Sequence, residues 1–224
     1  MKILMLISSL DVGGAETHLC ELATELRRQG NDITVASEGG GMLRRLGGSG
    51  VKHLKIPLGS KNPIKMLTAY KKLLTLVRRE RFDILHAHSR IAAFIGDAVA
   101  RRASLPFITT VHAKFSLSPI KKHFSRWGYY TSAVSEDLAI YLRESYGISP
   151  DKIRIIPNGI DIQRFKPAEK TSEKKKNLLF VSRLDSDCSN SAYSPSSSSS
   201  PKSYSSRSEL PLVWGLFLPL TLRK

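Results

Sequence analysis

Cysteine is nearly missing from this chain: Cys20 and Cys188 are the only two in 224 residues. Two thiols build no disulfide framework, so a stapled secreted scaffold is excluded and a reducing compartment, the cytoplasm, is expected. Long apolar runs are missing too. No stretch approaches the ~20 apolar residues that span a bilayer as a helix. The apolar start after Lys2 is short for a signal peptide and runs into a glycine turn rather than a cleavage site, so it reads as a strand. Acidic residues are scarce, 19 Asp and Glu against 35 Lys and Arg, which leaves a formal net charge of +16. Such an excess suits a partner carrying phosphate: a nucleotide, a nucleic acid or an anionic membrane face. The basic residues are spread over several helices with no recognised module around them, so no nucleic-acid partner is expected.

What is present is an alternation of strands and helices organised around residues 2–29. Residues 2–8 form an apolar run with the length and content of a strand buried on both faces. A turn over 9–14 follows, and residues 15–29 then place Ala15, Leu19, Leu22, Ala23 and Leu26 at helical spacing, with Cys20 beside that face. Gly30 is set to close the helix as a left-handed cap. Further strands are expected over 32–37, 51–56, 82–88, 105–112, 131–135 and 153–156. Helices are expected over 42–46, 61–81, 91–103, 120–129 and from a Ser135 cap to Gly147. In the 61–81 helix, opened by Asn62-Pro63, the spacing puts Ile64, Leu67, Tyr70, Leu74 and Val77 on one face. The opposite, basic face reads as a solvated covering helix or as a surface for anionic membrane. Strands alternating with helices of this length give an α/β fold, a doubly wound parallel sheet of Rossmann-like type.

The organisation changes after residue 165. Residues 166–176 have the lysine, proline and glutamate content of a linker. Residues 177–185 look like the first strand of a second domain. From Ser186 to Ser208, 13 of 23 residues are serine, and no helical or strand period survives. The tail 186–224 is therefore expected to be disordered or out of frame, the break falling shortly after Asp185.

Ligands of an open parallel sheet collect at the carboxyl ends of its strands. Three features converge there. Gly13 and Gly14 sit where a strand end meets a helix amino end, either as a bare tight turn or as a place where an anion meets free backbone N–H groups without a Cβ in the way. His86 and His88 alternate along a strand and so face one way. His112 ends a further strand, where it can bond a substrate hydroxyl or stabilise developing charge, or be a plain loop residue. The three histidines together resemble a zinc triad, but no Asp or Glu is placed to orient it, and no metal is assigned. Glu38 ends the second strand where a ribose-binding acid sits in dinucleotide enzymes. The turn, however, reads Asp-Val-Gly-Gly-Ala-Glu, not G-x-G-x-x-G, which weakens the NAD(P) oxidoreductase alternative.

Five stretches in order carry a more specific signal: Val12-Gly-Gly-Ala-Glu-Thr-His18, Asp83-Ile-Leu-His-Ala-His-Ser89, Thr110-Val-His112, Ala133-Val-Ser-Glu136 and Ile155-Ile-Pro-Asn-Gly-Ile-Asp161. Together they resemble the family 4 retaining glycosyltransferases of GT-B fold, and Leu179-Phe-Val-Ser-Arg-Leu184 resembles the opening of that family's second domain. The resemblance implies two Rossmann-like domains across a cleft, the first binding the acceptor and the second a nucleotide-sugar donor. Carried over, Gly13 and Gly14 approach the donor's diphosphate and sugar, and Arg183 neutralises the leaving diphosphate. His112 is the catalytic residue beside the transferring sugar, with His86 and His88 as acceptor-side candidates. No cofactor is implied beyond the nucleotide-sugar substrate. The acceptor is a lipid or saccharide, with peripheral contact at the inner membrane face through basic faces at 61–81 and 121–126. The pattern departs in 186–193, where the family's lysine has no match, and the family's paired glutamates are absent. The implied object is an acceptor domain with a stub of donor domain, inactive alone. A non-catalytic binding module remains the other reading.

Overall fold

A computed structural model describes residues 1–115, 125–162 and 165–166. Residues Met1–Lys166 form one compact unit. The linker, the 177–185 strand, Cys188 and the serine-rich tail lie outside the described residues, as does the first half, 120–124, of the helix expected over 120–129. Its second half, 125–129, is not helical.

Seven parallel strands make one sheet: β1 (Lys2–Leu6), β2 (Asp32–Ser37), β3 (Lys52–Lys55), β4 (Ile84–Ala87), β5 (Phe107–Val111), β6 (Tyr130–Ala133) and β7 (Ile153–Ile155). Their order is β3-β2-β1-β4-β5-β6-β7, so the direction of winding reverses between β1 and β4. The connecting helices are α1 (Gly14–Arg28), α2 (Leu43–Leu46), α3 (Pro63–Glu80), α4 (Arg90–Ala103) and α5 (Glu136–Tyr146). This is the doubly wound α/β sheet expected from the alternation of elements.

β1 shows why that alternation closes on itself. Its odd residues Ile3 and Met5 pack with Leu19, Cys20 and Ala23 of α1. Its even residues Leu4 and Leu6 pack with Leu73, Leu76 and Val77 of α3 and with Ala92, Ile95 and Val99 of α4. A strand apolar on both sides needs a cover on each, and successive Cβ atoms alternate to supply it. α4 approaches closely because Gly96 lacks a side chain: a Cβ there would stand 2.8 Å from Leu6 Cδ1.

The helix ends follow local chemistry. The Asn62 side chain accepts from the N–H groups of Ile64 and Lys65, and that of Ser135 from the N–H of Leu138. Gly30 and Gly147 take positive φ just past α1 and α5, which a residue with a Cβ does at a cost. The apolar face of α3 differs from the expected one. Its buried residues are Ala69, Leu73, Leu76 and Val77, with Met66, Tyr70 and Leu74 partly covered. Ile64 and Leu67 are instead 76% and 52% exposed. Tyr70, Leu74 and Val77 of the expected face do turn inward. At the amino end the buried stripe runs through Met66 and Ala69 instead of Ile64 and Leu67, because apolar residues occur on both sides there and packing against α4 and the sheet selects between them. The Glu38–Gly41 turn is held against the loop after β1. Leu10 N–H donates to Gly39 O at 2.8 Å and Met42 N–H to Leu10 O at 2.8 Å, so the loops after β1 and β2 are laced together.

Candidate active site

Strand parity and register assemble the site. Met5 on the α1 side of β1 pairs with His86 of β4, and His86 pairs with Ile108 of β5. Side chains of one parity therefore share the α1 face: His86 and His88 from the β4 segment, Thr110 and His112 from the β5 segment. α1 crosses that face, and His18, one helical turn after Gly14, completes the group. The His18 ring centroid lies 5.1 Å from that of His112 and 5.8 Å from that of His88. His88 and His112 stack with centroids 5.5 Å apart, and His86 lies 4.1 Å from His88. The sheet's carboxyl edge, at its reversal point, thus carries three imidazoles, and the first helix laid against it supplies a fourth.

Each ring has a distinct environment. His86 is buried and its Nε2 meets the Thr110 hydroxyl at 2.7 Å, which places it behind His88 rather than at the surface. His88 Nδ1 and His112 Nε2 share a hydrogen bond of 3.2 Å. The outer nitrogens of this pair, His88 Nε2 and His112 Nδ1, are buried with no hydrogen-bond partner. Burial, and then the neighbouring imidazoles, push His86 down to about 3. They push His88 well below the usual imidazole range. Burial, with a smaller effect of His18, brings His112 down to about 4, and burial lowers His18 as well. The cluster is electrically neutral at pH 7 and offers lone pairs and N–H groups, not charge.

Next to it the amino end of α1 is open. Gly13 is the extended residue before the helix, and no side chain caps it. Its carbonyl accepts from Thr17 N–H at 2.9 Å and from the Thr17 hydroxyl at 2.8 Å. A Cβ on Gly14 would meet nothing within 4 Å, so internal packing does not require the glycine and the space beside the backbone is free. A cavity of about 640 Å³ adjoins this helix, lined among others by His18, Glu21, Arg45, Gly159 and Asp161. At the reversal point Ser8 and Ser89 tie the ends of β1 and β4 together, hydroxyl to hydroxyl at 2.7 Å and Ser8 N–H to Ser89 Oγ at 3.0 Å.

Gly13, Gly14, His86, His88 and His112 thus all come from strand ends and the opening of α1 at one edge. Arg183 lies outside the described residues. Glu38 spends its carboxylate on the Gly59 N–H at 3.3 Å. Sequence reasoning passed over His18, Thr110 and the Ser8–Ser89 pair as contributors. The i, i+4 step from Gly14 was the available signal for His18. Nothing in the sequence marks the serine pair, which joins residues 81 apart.

Comparison with known proteins bears on the family and the fold. The family model of Glycosyltransferase Family 4 matches residues 12–164. A UDP-Gal:alpha-D-GlcNAc-diphosphoundecaprenol alpha-1,3-galactosyltransferase of Escherichia coli is 30% identical over 134 residues, covering 54% of this chain and 34% of that protein. The Arabidopsis thaliana phosphatidylinositol N-acetylglucosaminyltransferase is 25% identical, in one of its subunits, over 194 residues, covering 77% of this chain and 42% of the relative. The chain therefore spans less than half the length of these relatives. Among solved structures, a glycosyltransferase from Rickettsia africae superposes with a TM-score of 0.63 at 26% identity, covering 77% of this chain and 47% of that one. Anabaena Alr3699/HepE, solved with UDP-glucose, superposes at 0.60 and 22% identity over 75% of this chain and 46% of that one, a likeness of fold. The family match spans more than half of the residues and takes in all five ordered motifs, and on that ground the chain belongs to glycosyltransferase family 4.

Proposed function

We propose that this chain is the acceptor-side wall of a retaining, metal-independent glycosyltransferase that moves a sugar from a nucleotide-sugar donor to a hydroxyl. The observation that carries the reading is the convergence of His112 and the open amino end of α1 at one sheet edge, with His18 bridging them. In this reading Gly13 and Gly14 present backbone N–H groups to the donor's diphosphate and sugar. His112, neutral and half-buried, holds a hydroxyl of the transferring sugar and meets charge at the reacting carbon. His88 steadies His112 through their shared bond and faces the acceptor side, with His86 locked behind it by Thr110. Arg183 is assigned the leaving diphosphate, a fixed cation in place of a divalent ion.

Backbone-resolved NMR on the 224-residue chain tests this. Addition of a UDP-sugar at millimolar concentration shifts the Gly13 and Gly14 amides and the His112 ring, while NAD⁺ leaves them in place. The same preparation transfers no measurable sugar, because transition-state binding needs both walls of the cleft. Shifts produced by NAD⁺ alone, or turnover by this chain, would count against the proposal.

The names of the relatives point to lipid-linked acceptors, and the surface of α3 suits such a partner. Ile64 and Leu67 stand exposed among exposed Lys61, Lys65, Lys71 and Lys72. The groove between β3 and α3 is lined by Lys55, Lys71, Lys72 and Arg79. We assign this face to the cytoplasmic, anionic leaflet, apolar tips entering the headgroup layer and lysines meeting phosphates. Among the described residues no helix is long and apolar enough to cross a membrane, and the assigned contact is a peripheral one. The protein is expected to float with vesicles containing anionic lipid and to stay behind with neutral ones. Replacing Ile64 and Leu67 by Asp abolishes flotation; equal recovery with both vesicle types removes this assignment.

A further inference from the structure

One ring nitrogen from each of His18, His88 and His112 lies within 4.8 Å of the others. We infer that these three imidazoles form a binding site for a divalent transition-metal ion of the zinc class, its fourth position open toward the cavity beside α1. The triad weighed from sequence contained His86; the fold replaces it with His18, because the His86 Nε2 is already engaged by Thr110.

The argument is geometric. His88 Nδ1 and His112 Nε2 are 3.2 Å apart. Two ligands at Zn–N distances of about 2.0–2.1 Å in a tetrahedron are about 3.3 Å from one another. The pair already stands at the edge length of such a tetrahedron. Its outer nitrogens make no hydrogen bond. No network therefore fixes either tautomer, and the ring that now donates can carry its proton on the outer nitrogen instead. Both lone pairs then face inward. Three neutral imidazoles each give one lone pair and keep one N–H, so the ion binds without displacing a proton.

The third ligand is the one with room to move. His18 is half-buried and lines the cavity of about 640 Å³, so its ring can close the remaining distance. A cavity on that side also supplies the water or hydroxyl of an open fourth position, as in three-histidine sites generally. Neutral rings attract no anion, which sets a phosphate aside as the occupant. The ion would sit on the histidines and not on a diphosphate. It would break the bond between His88 Nδ1 and His112 Nε2 and hold the His112 proton on Nδ1, the nitrogen left to meet a substrate hydroxyl, and so inhibit. That inhibitory consequence rests on the transferase reading; binding of the ion does not.

Cobalt(II) is the probe, since its visible bands report coordination number and ligand type. Titrated into the tag-free 224-residue chain, one equivalent gives the intense visible bands of a four-coordinate nitrogen-ligated ion, and zinc displaces it. His18→Ala weakens binding by at least about 100-fold, with an unchanged circular dichroism spectrum, and His18→Gln does the same while keeping side-chain bulk. His53→Ala, at a ring bonded to Ser37 outside the cluster, binds as the parent does. Equal affinity in both His18 variants, the weak bands of an octahedral ion, or a thiolate-to-cobalt band overturns the site. None of these outcomes bears on sugar-nucleotide binding, so failure here leaves the transferase reading standing.

Discussion

Gly40→Ala lowers the thermal midpoint by roughly 8–16 °C, the shift for about 4 kcal/mol in a chain of this size. Gly40 has φ +148°, a conformation residues with a Cβ rarely adopt. The added carbon would also stand 2.3 Å from Leu10 C, 2.4 Å from Leu10 O and 2.7 Å from Asp11 N. Those atoms are backbone, and Leu10 is held by bonds to Gly39 and Met42, so nothing flexible can yield. The neighbouring Gly41→Ala is the control. Its Cβ would meet nothing within 4 Å and its φ is not positive, so the change stays within about 0.5 kcal/mol. Scanning calorimetry of the two variants separates the cases, and equal midpoints would refute the packing argument. Because Leu10 and Asp11 precede Gly13 by two or three residues, a Gly40→Ala chain that remains folded should also show displaced Gly13 and Gly14 amide signals.

Acid weakens this fold well before its carboxylates protonate. Imidazoles in the unfolded chain titrate near 6.5. In the folded chain His86 is held down at about 3 and His112 at about 4, with His88 and His18 lowered too. Between pH 6.5 and those values the unfolded state binds more protons than the folded one, so stability falls as pH falls. Full stability is present above about 6.5. By pH 5, His86 and His112 each remove about 2 kcal/mol. The held carboxylates act lower. Glu25 is kept down at about 2 by hydrogen bonds from Arg28 and Gln29, and Glu80 is lowered chiefly by Lys2. Their contribution is lost only as pH drops below the usual carboxylate range, so the window from 6.5 to 5 belongs to the histidines. Urea midpoints measured with a chelator present should drop between pH 7.5 and pH 5, and His86→Gln, which can keep a bond to Thr110, should flatten the slope. Identical midpoints at both pH values would show that the cluster is solvated.

Individual elements show where sequence reasoning reached its limit. Strand and helix content was readable because period-2 and period-3.6 patterns are local, and β2 was placed at its observed bounds. The caps at Asn62 and Ser135 and the left-handed glycines at 30 and 147 were readable for the same reason: each acts within four residues. The inward stripe at the amino end of α3 was not readable, because apolar residues lie on both sides there and the choice depends on a neighbour. The tightness at Gly40 was not readable either, since it is set by a loop thirty residues earlier.

Legible in the chain before folding were the parallel α/β class, the glycine turn opening α1, and the shared side of His86 and His88. Those are consequences of a two-residue repeat and of residue size. The fold alone brings Thr110 and His112 onto that same face, lays α1 over it, and completes the group around His88 and His112 with His18 rather than His86. Parity is a property of one strand. Register and the choice of covering helix arise from burying both faces of β1 at once, and no local pattern encodes them.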